Sequence, residues 1–174
     1  MGITVTAGAL SALLLCAAAS ILDVRSGRIP NVLTLGAAAL GLIVGAITHG
    51  LSGLGQAAAG WAVGCGLFLP FFLLGGMGAG DVKLLAALGA WLGPATTVFV
   101  ALYTGIAGGV MAVVVSAGQG YLKQLFTNLW GLLVFWRIAG VQPMPGLTLR
   151  TAASPRLPYA LPIAAGTVAA LWLR

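Results

Sequence analysis

The sequence predicts an all-α, polytopic membrane protein of about six transmembrane helices plus one interfacial amphipathic helix, and three observations carry that prediction. Hydrophobic residues make up 60% of the chain and charged residues 6%, whereas about a quarter of a soluble domain is charged. Mean hydropathy is +1.10. The apolar residues also gather in long runs punctuated by Gly, Pro and short polar clusters, each near the ~20 residues that a helix needs to cross a hydrocarbon core ~30 Å thick. Those runs are apolar on every side and rich in Ala, Leu and Gly, where a transmembrane barrel would alternate apolar with polar positions. The 174 residues leave little beyond these spans, so residues 1–174 are expected to form a single transmembrane domain.

The first span is expected over residues 3–22. No Lys or Arg precedes Arg25, so the run lacks the basic start of a cleaved signal and reads as a retained helix with its N-terminus outside. Asp23-Val24-Arg25-Ser26-Gly27-Arg28-Ile29-Pro30-Asn31 follows as a short polar loop, with Pro30 suited to the start of the next helix. A second span over 31–48, a turn at His49-Gly50-Leu51-Ser52-Gly53 and a third span over 54–74 bring the chain back to the first side. His49 then lies in a solvated turn. Gly75-Gly76-Met77-Gly78-Ala79-Gly80 opens a short fourth helix that starts near Asp81 and ends near Gly93-Pro94, and a fifth span covers 95–117. Residues 121–138 set Leu122, Leu125, Phe126, Leu129, Leu133 and Trp136 opposite Lys123, Gln124, Thr127 and Asn128, the pattern of a helix lying on the membrane surface; the competing reading is a seventh span, which Lys123, Asn128 and Arg137 oppose. A Pro-rich loop over 140–156 leads to the last span over 157–173, whose start Pro162 is expected to kink.

The basic residues fit this layout. Arg25, Arg28, Lys83, Lys123, Arg137, Arg150 and Arg156 fall on one side and only Arg174 on the other, which makes the shared side cytoplasmic. Trp61, Trp91 and Trp172 come near the outer span ends, where an aromatic belt would sit. The net charge of +6 is spread between apolar runs, forms no basic stripe and does not indicate nucleic acid. Cys16 and Cys65 sit singly inside apolar runs as small hydrophobic fillers, and with one His they make no zinc site. No metal and no cofactor are expected.

The chain holds two acids, Asp23 and Asp81, and the layout puts both on the cytoplasmic side. A carboxylate in or beside hydrocarbon costs roughly 2.5–3.5 kcal/mol on insertion scales, so each is a candidate functional residue. Two carboxylates held close cannot both ionise cheaply and titrate as a pair. The ionised member can take a proton from water while the protonated one polarises a peptide carbonyl, which hydrolyses an amide without metal. The glycine turn before Asp81 allows an extended peptide to come close, and Asp81 is also placed to N-cap the fourth helix.

Asp23 with Arg25, Ile29, Pro30 and Asn31 after the first span, then Gly78-x-Gly80-Asp81-x-Lys83-Leu84-Leu85 after the third, resembles the type IV prepilin peptidase family of GxGD membrane aspartyl proteases. Leu157-Pro158-Tyr159-Ala160-Leu161-Pro162-Ile163-Ala164, with Gly166, is similar to that family's final helix. The resemblance covers nearly the full chain. It implies that Asp23 and Asp81 are the catalytic pair, that Gly78, Gly80 and Lys83 belong to the substrate or active-site loop, and that prepilin or pseudopilin leader peptides are cut at the cytoplasmic face of a bacterial inner membrane. Bifunctional members carry an added segment with paired CxxC motifs and methylate the new N-terminus; this sequence has no CxxC, so it resembles the short, peptidase-only members associated with tight-adherence (Flp) pili. The alternative from another class is a small ion or proton-coupled transporter, in which intramembrane acids relay ions, although no internal repeat of that kind is visible. Two carboxylates alone are too few oxygen ligands for a hard metal ion.

The topology is directly measurable. A single cysteine placed at Ser26 is expected to react with an impermeant thiol reagent only from the cytoplasmic side; labelling from the outside inverts the scheme.

Overall fold

The computed structural model describes residues 7–144 and 157–173, and every regular element among them is helical. In chain order these are α1 (Ala7–Ser26), α2 (Asn31–Leu73), α3 (Ala79–Gly118), α4 (Leu122–Ala139) and α5 (Ala160–Trp172). By length and composition α1, α2 and α3 are able to cross a membrane, and α5 is a shorter apolar helix. The expectations for residues 3–6, Pro145, Arg150, Pro155, Arg156 and Arg174 lie outside the described residues.

The two longest helices are each broken by a chain reversal. In α2 the break is at His49 and Gly50, where Gly50 takes φ 60° and ψ −143°, a conformation open to glycine and strained for other residues. Beyond it a Cβ built on Gly45 would stand 2.9 Å from the Gly53 carbonyl oxygen and 3.3 Å from the Ala57 Cβ. Eight residues of straight helix would separate those positions by ~12 Å, so residues 31–48 and 51–73 form an antiparallel hairpin. In α3 the break is Gly93, at φ 76° and ψ 170°, with Thr97 Oγ donating to the Gly93 carbonyl at 2.7 Å and approaching within 3.1 Å of a Cβ on Gly89. Residues 79–92 and 94–118 therefore form a second hairpin, and the expected helix end at Gly93-Pro94 is where the chain turns. Pro94 follows directly, where its missing N–H costs nothing.

The core is the first half of α3. Leu84, Leu85 and Leu88 are fully buried, and Ala86, Ala87 and Ala90 nearly so, which encloses this helix on all sides. Small residues make the enclosure possible. Gly60 of α2 and Gly89 of α3 each place a bare Cα against the other's carbonyl, Gly64 would meet the Leu85 carbonyl at 2.6 Å, and Gly41 would meet the Ala90 Cβ at 3.0 Å. The Gly60–Gly89 and Gly64–Leu85 pairs run in opposite directions along the chain, so 51–73 is antiparallel to 79–92. On the other flank α5 packs against 94–118 through Gly166 at Thr104 and Gly108 at Tyr159, and against α1 through Cys16 Sγ to Thr167 Oγ at 3.5 Å and Ser20 Oγ to the Ala160 carbonyl at 3.2 Å. Both cysteines are free, Cys16 buried and Cys65 half-buried. The outward faces carry large apolar side chains such as Leu51, Val32 and Ile47, 88, 85 and 79% exposed, far more than a water-facing surface carries as one patch.

Four local expectations need correction. α1 runs on to Ser26, so Asp23 lies in its last turn and the loop shrinks to 27–30; Gly27 N–H donates to the Asp23 carbonyl at 2.8 Å and its φ of 62° ends the helix. The second limb of α2 starts just beyond Gly50 rather than at 54. Pro162 occupies the first turn of α5, where no intrahelical N–H is required, and makes no kink. Trp91 turns inward, its indole N–H donating to the Ala37 carbonyl at 2.9 Å, while Trp61 and Trp172 remain exposed at 41 and 71%. α4 has no buried residue and among the described residues packs only against α3.

Substituting Gly89 with Leu forces the Gly60 backbone away and is expected to cost on the order of 1–3 kcal/mol, whereas Gly105→Ala, which meets nothing within 4 Å, leaves stability unchanged. Thermal unfolding of the two detergent-purified variants against the parent checks the difference.

Candidate active site

Two cavities mark the two ends of the bundle. One, of about 530 Å³, is lined by Gly8 of α1, His49 and Gly53 at the α2 reversal, and Trp91 and Gly93 at the α3 reversal. His49 is exposed there, its Nδ1 2.9 Å from Thr48 Oγ, as a turn residue is expected to be. The other, of about 730 Å³, lies at the opposite end and is lined by both acids together with Phe72, Leu73, Met77, Gly78 and Tyr159. Asp23 comes from the last turn of α1 and Asp81 from the first turn of α3, so the ends of two different helices deliver the chain's whole complement of carboxylates to one space.

Asp81 is not the N-cap. Gly78 is, and Asp81 is the third residue of the helix, from where its carboxylate reaches back to accept the Gly78 N–H at 3.2 Å. This is the carboxylate half of a capping box; Gly78 has no side chain to supply the other half, and the Asp81 N–H donates instead to the Gly78 carbonyl at 3.2 Å. Gly78 has ordinary extended dihedrals, φ −79° and ψ 148°, so its glycine is not required by conformation. Space favours it, since a Cβ there would stand 3.0 Å from Asp81 Oδ2 and press on that carboxylate. Met77 is 8% exposed and joins the core cluster, which anchors the turn between two flexible glycines.

Asp23 is held from the far end of the chain. The Ala160 N–H, at the start of α5, donates to Asp23 Oδ2 at 3.2 Å across 137 positions of sequence. The partial positive charge of a helix N-terminus favours a carboxylate there. Tyr159 precedes it, edge-on to Phe68 with ring centroids 6.4 Å apart, its hydroxyl packed against Gly108. Half-buried, Tyr159 forms part of the cavity wall. The quoted 157–166 motif gave no hint that its backbone would meet Asp23; a contact made through a main-chain N–H leaves no residue-type signal.

Gly80 and Lys83 are expected with the substrate or active-site loop, and each has a neighbour of its own in the structure. Gly80 faces Ile29, and Lys83 Nζ donates to Asn31 Oδ1 at 2.9 Å; neither lines the cavity. Among the described residues no three His, Cys, Asp or Glu side chains gather as a metal site would require.

A helical bundle with large apolar side chains on its outer faces is the form of a membrane protein, and in this one both acids line a single cavity. The chain belongs to the type IV leader peptidase family, whose pattern it matches over residues 10–113. It is similar to the prepilin leader peptidase/N-methyltransferase of Aeromonas hydrophila, 39% identical over 116 residues that cover 61% of this chain and 40% of that protein. The protein of the same name from Burkholderia pseudomallei strain 1026b is 40% identical over 61% of this chain and 37% of its own length. A type 4 prepilin-like proteins leader peptide-processing enzyme of Escherichia coli O78:H11 is 34% identical over 58% of this chain and 40% of that protein. The chain thus spans about two fifths of the length of the curated relatives it matches. No solved structure matches it.

Gly78→Ala is expected to displace the Asp81 carboxylate while leaving the helix start intact, since alanine adopts the same dihedrals. A sub-ångström to 1 Å misplacement of a reacting group costs up to about 10²-fold in rate. A small fall in the thermal midpoint, as the Asp81 bond to the N–H of position 78 weakens, with a loss of peptide cleavage approaching that size is the expected pair of measurements.

Proposed function

We propose that this chain is a membrane-embedded aspartyl endopeptidase that removes the leader peptide from type IV pilin-like (prepilin) precursors at the cytoplasmic face of a bacterial inner membrane. The observation that carries the reading is the meeting of Asp23 and Asp81 in one cavity, each with a backbone N–H on one oxygen. In the reaction one carboxylate is ionised and the other protonated. The ionised one takes a proton from water as its oxygen adds to the scissile carbonyl, and the protonated one gives its proton to that carbonyl oxygen. Collapse of the tetrahedral intermediate moves a proton to the leaving amine and returns the pair to its shared single proton. Neither step needs a metal or cofactor.

The fold supports a recessed site. Residues 79–92 and α5 are each only ~20 Å long at 1.5 Å per residue, against a hydrocarbon core of ~30 Å, and each opens at the Asp23–Asp81 cavity. With the Gly93 end near the outer surface, the carboxylates sit below the cytoplasmic one, in a polar recess. The chain then makes six spans, the two limbs of α2 and of α3 counting separately with α1 and α5, and α4 lies on the membrane with its apolar side toward lipid. Residues 1–174 act as one peptidase domain, with the N-terminus outside and prepilin or pseudopilin as the protein partner. Methyl transfer, named in two of the relatives, forms no part of this reading.

Asp23→Asn and Asp81→Asn are each expected to lower prepilin cleavage by on the order of 10⁴-fold or more, and the double variant to be no worse than either, because groups acting as a unit lose nearly everything at the first removal. Activity against pH should be bell-shaped: it falls in acid as the base gains a proton and falls in alkali as the acid loses its own. Cleavage products read by mass spectrometry, from variants confirmed to insert, decide the matter. Full cleavage by either single variant removes that residue from the mechanism, and ion flux without a peptide product replaces the peptidase with a transporter.

A further inference from the structure

Lys83 is a half-buried cation in the second turn of the helix that carries Asp81, yet it does not serve the cavity. Two residues apart on a helix of 3.6 per turn, Lys83 and Asp81 project ~200° apart, and Lys83 is absent from the cavity wall. Its ammonium instead meets Asn31 Oδ1 at 2.9 Å, 52 residues away. A lysine offers only donors, so the amide must present its oxygen and the contact has one orientation. Asn31 is the first residue of α2, directly after the 27–30 linker from α1. A turn of helix away from Lys83, Gly80 leaves bare backbone on which Ile29 is seated. A Cβ on Gly80 would stand 3.2 Å from the Ile29 Cβ and 3.6 Å from two further Ile29 atoms, and Ile29 is only 9% exposed.

We propose that Lys83 is a positioning residue: its hydrogen bond to Asn31, together with Ile29 seated on Gly80, forms a latch that fixes the linker behind Asp23 against the helix start that carries Asp81, and so sets the separation of the two carboxylates. The linker is four residues long and its first N–H, on Gly27, is bonded back to the Asp23 carbonyl. Displacement of Asn31 is therefore transmitted to the last turn of α1 with little slack. The α1–α2 contact is otherwise slight beside those that α2 and α5 make with α3, so few other contacts tie the Asp23 turn to α2. This explains an Asn and a Lys, far apart in sequence, through one joint rather than through contact with substrate.

The proposal rests on the peptidase reading, and a double-mutant cycle of Asn31→Ala, Lys83→Met and the pair separates the two. Each single variant is expected to lower kcat about tenfold or more with KM little changed, as misplacement of reacting groups does. The double variant should be no slower than the slower single, and Asn31→Asp, which keeps an acceptor for Lys83, should retain activity. The bell of activity against pH should also narrow in Lys83→Met, because carboxylates further apart influence each other's titration less. Additive losses, wild-type kcat in Lys83→Met, or a rise in KM alone would overturn the latch, the last by assigning Lys83 to substrate. If the parent chain cleaves no prepilin, the peptidase reading fails on its own account, and thermal midpoints of the same four proteins judge the joint: non-additive midpoints keep it, additive ones remove it.

Discussion

The constraint on which this structure depends is the direct contact of two helix backbones, α2 and α3, at Gly60–Gly89, Gly64–Leu85 and Gly41–Ala90. In hydrocarbon, helices gain nothing by hiding apolar side chains from lipid, so association relies on close van der Waals packing and on polar contacts between helices. Glycines that bring main chains together maximise the first. They also let the short helix 79–92 be enclosed on every side, which is unusual for a segment that begins with a carboxylate. The large side chains are correspondingly pushed outward, toward lipid, while the interior is made mainly of Gly, Ala, Leu and Thr.

Enclosure of that helix determines what its first turn can do. Its N-terminus has N–H groups without intrahelical partners, and the Asp81 carboxylate takes one of them from Gly78. Asp23 takes another such orphan from the start of α5. Each acid thus stabilises a helix start and is in turn oriented by it, so the capping and catalytic readings describe the same contacts. Among the described residues the arrangement is nearly symmetric, one amide to one oxygen of each acid.

Much of this was legible in the sequence. The break at Gly93-Pro94, the turn at His49-Gly50, the amphipathic segment after 121 and the return of both aspartates to one side follow from glycine, proline and apolar periodicity, which act locally. What escaped was tertiary. α1 outlasts its apolar run because Asp23, Val24 and Arg25 are compatible with a helix whose end is fixed by Gly27, and hydropathy is blind to that. Trp91 reads as a belt residue until the Ala37 carbonyl claims its N–H. The bond from Lys83 to Asn31 joins residues 52 positions apart that no local pattern links, and the Ala160 amide on Asp23 is invisible because any residue but proline supplies the same donor.

The same geometry explains why a peptide bond would be cut at a helix end rather than along a helix. Within a continuous helix every backbone group is paired, and a substrate strand finds nothing to bind. At the Gly75–Gly80 turn the chain is non-helical for several residues, and such backbone is tolerated at membrane depth only where it lines a cavity. Several of its N–H groups are bonded within the chain, those of Gly75 and Gly76 to the Phe72 and Phe71 carbonyls and that of Gly78 to the Asp81 carboxylate. A helical substrate must, on the proposed reading, unwind locally before its carbonyl reaches the aspartates. On the proposed reading, selection between peptides then begins with how readily each one unwinds at the junction, before any side chain is compared with the apolar wall formed by Phe72, Met77 and Tyr159.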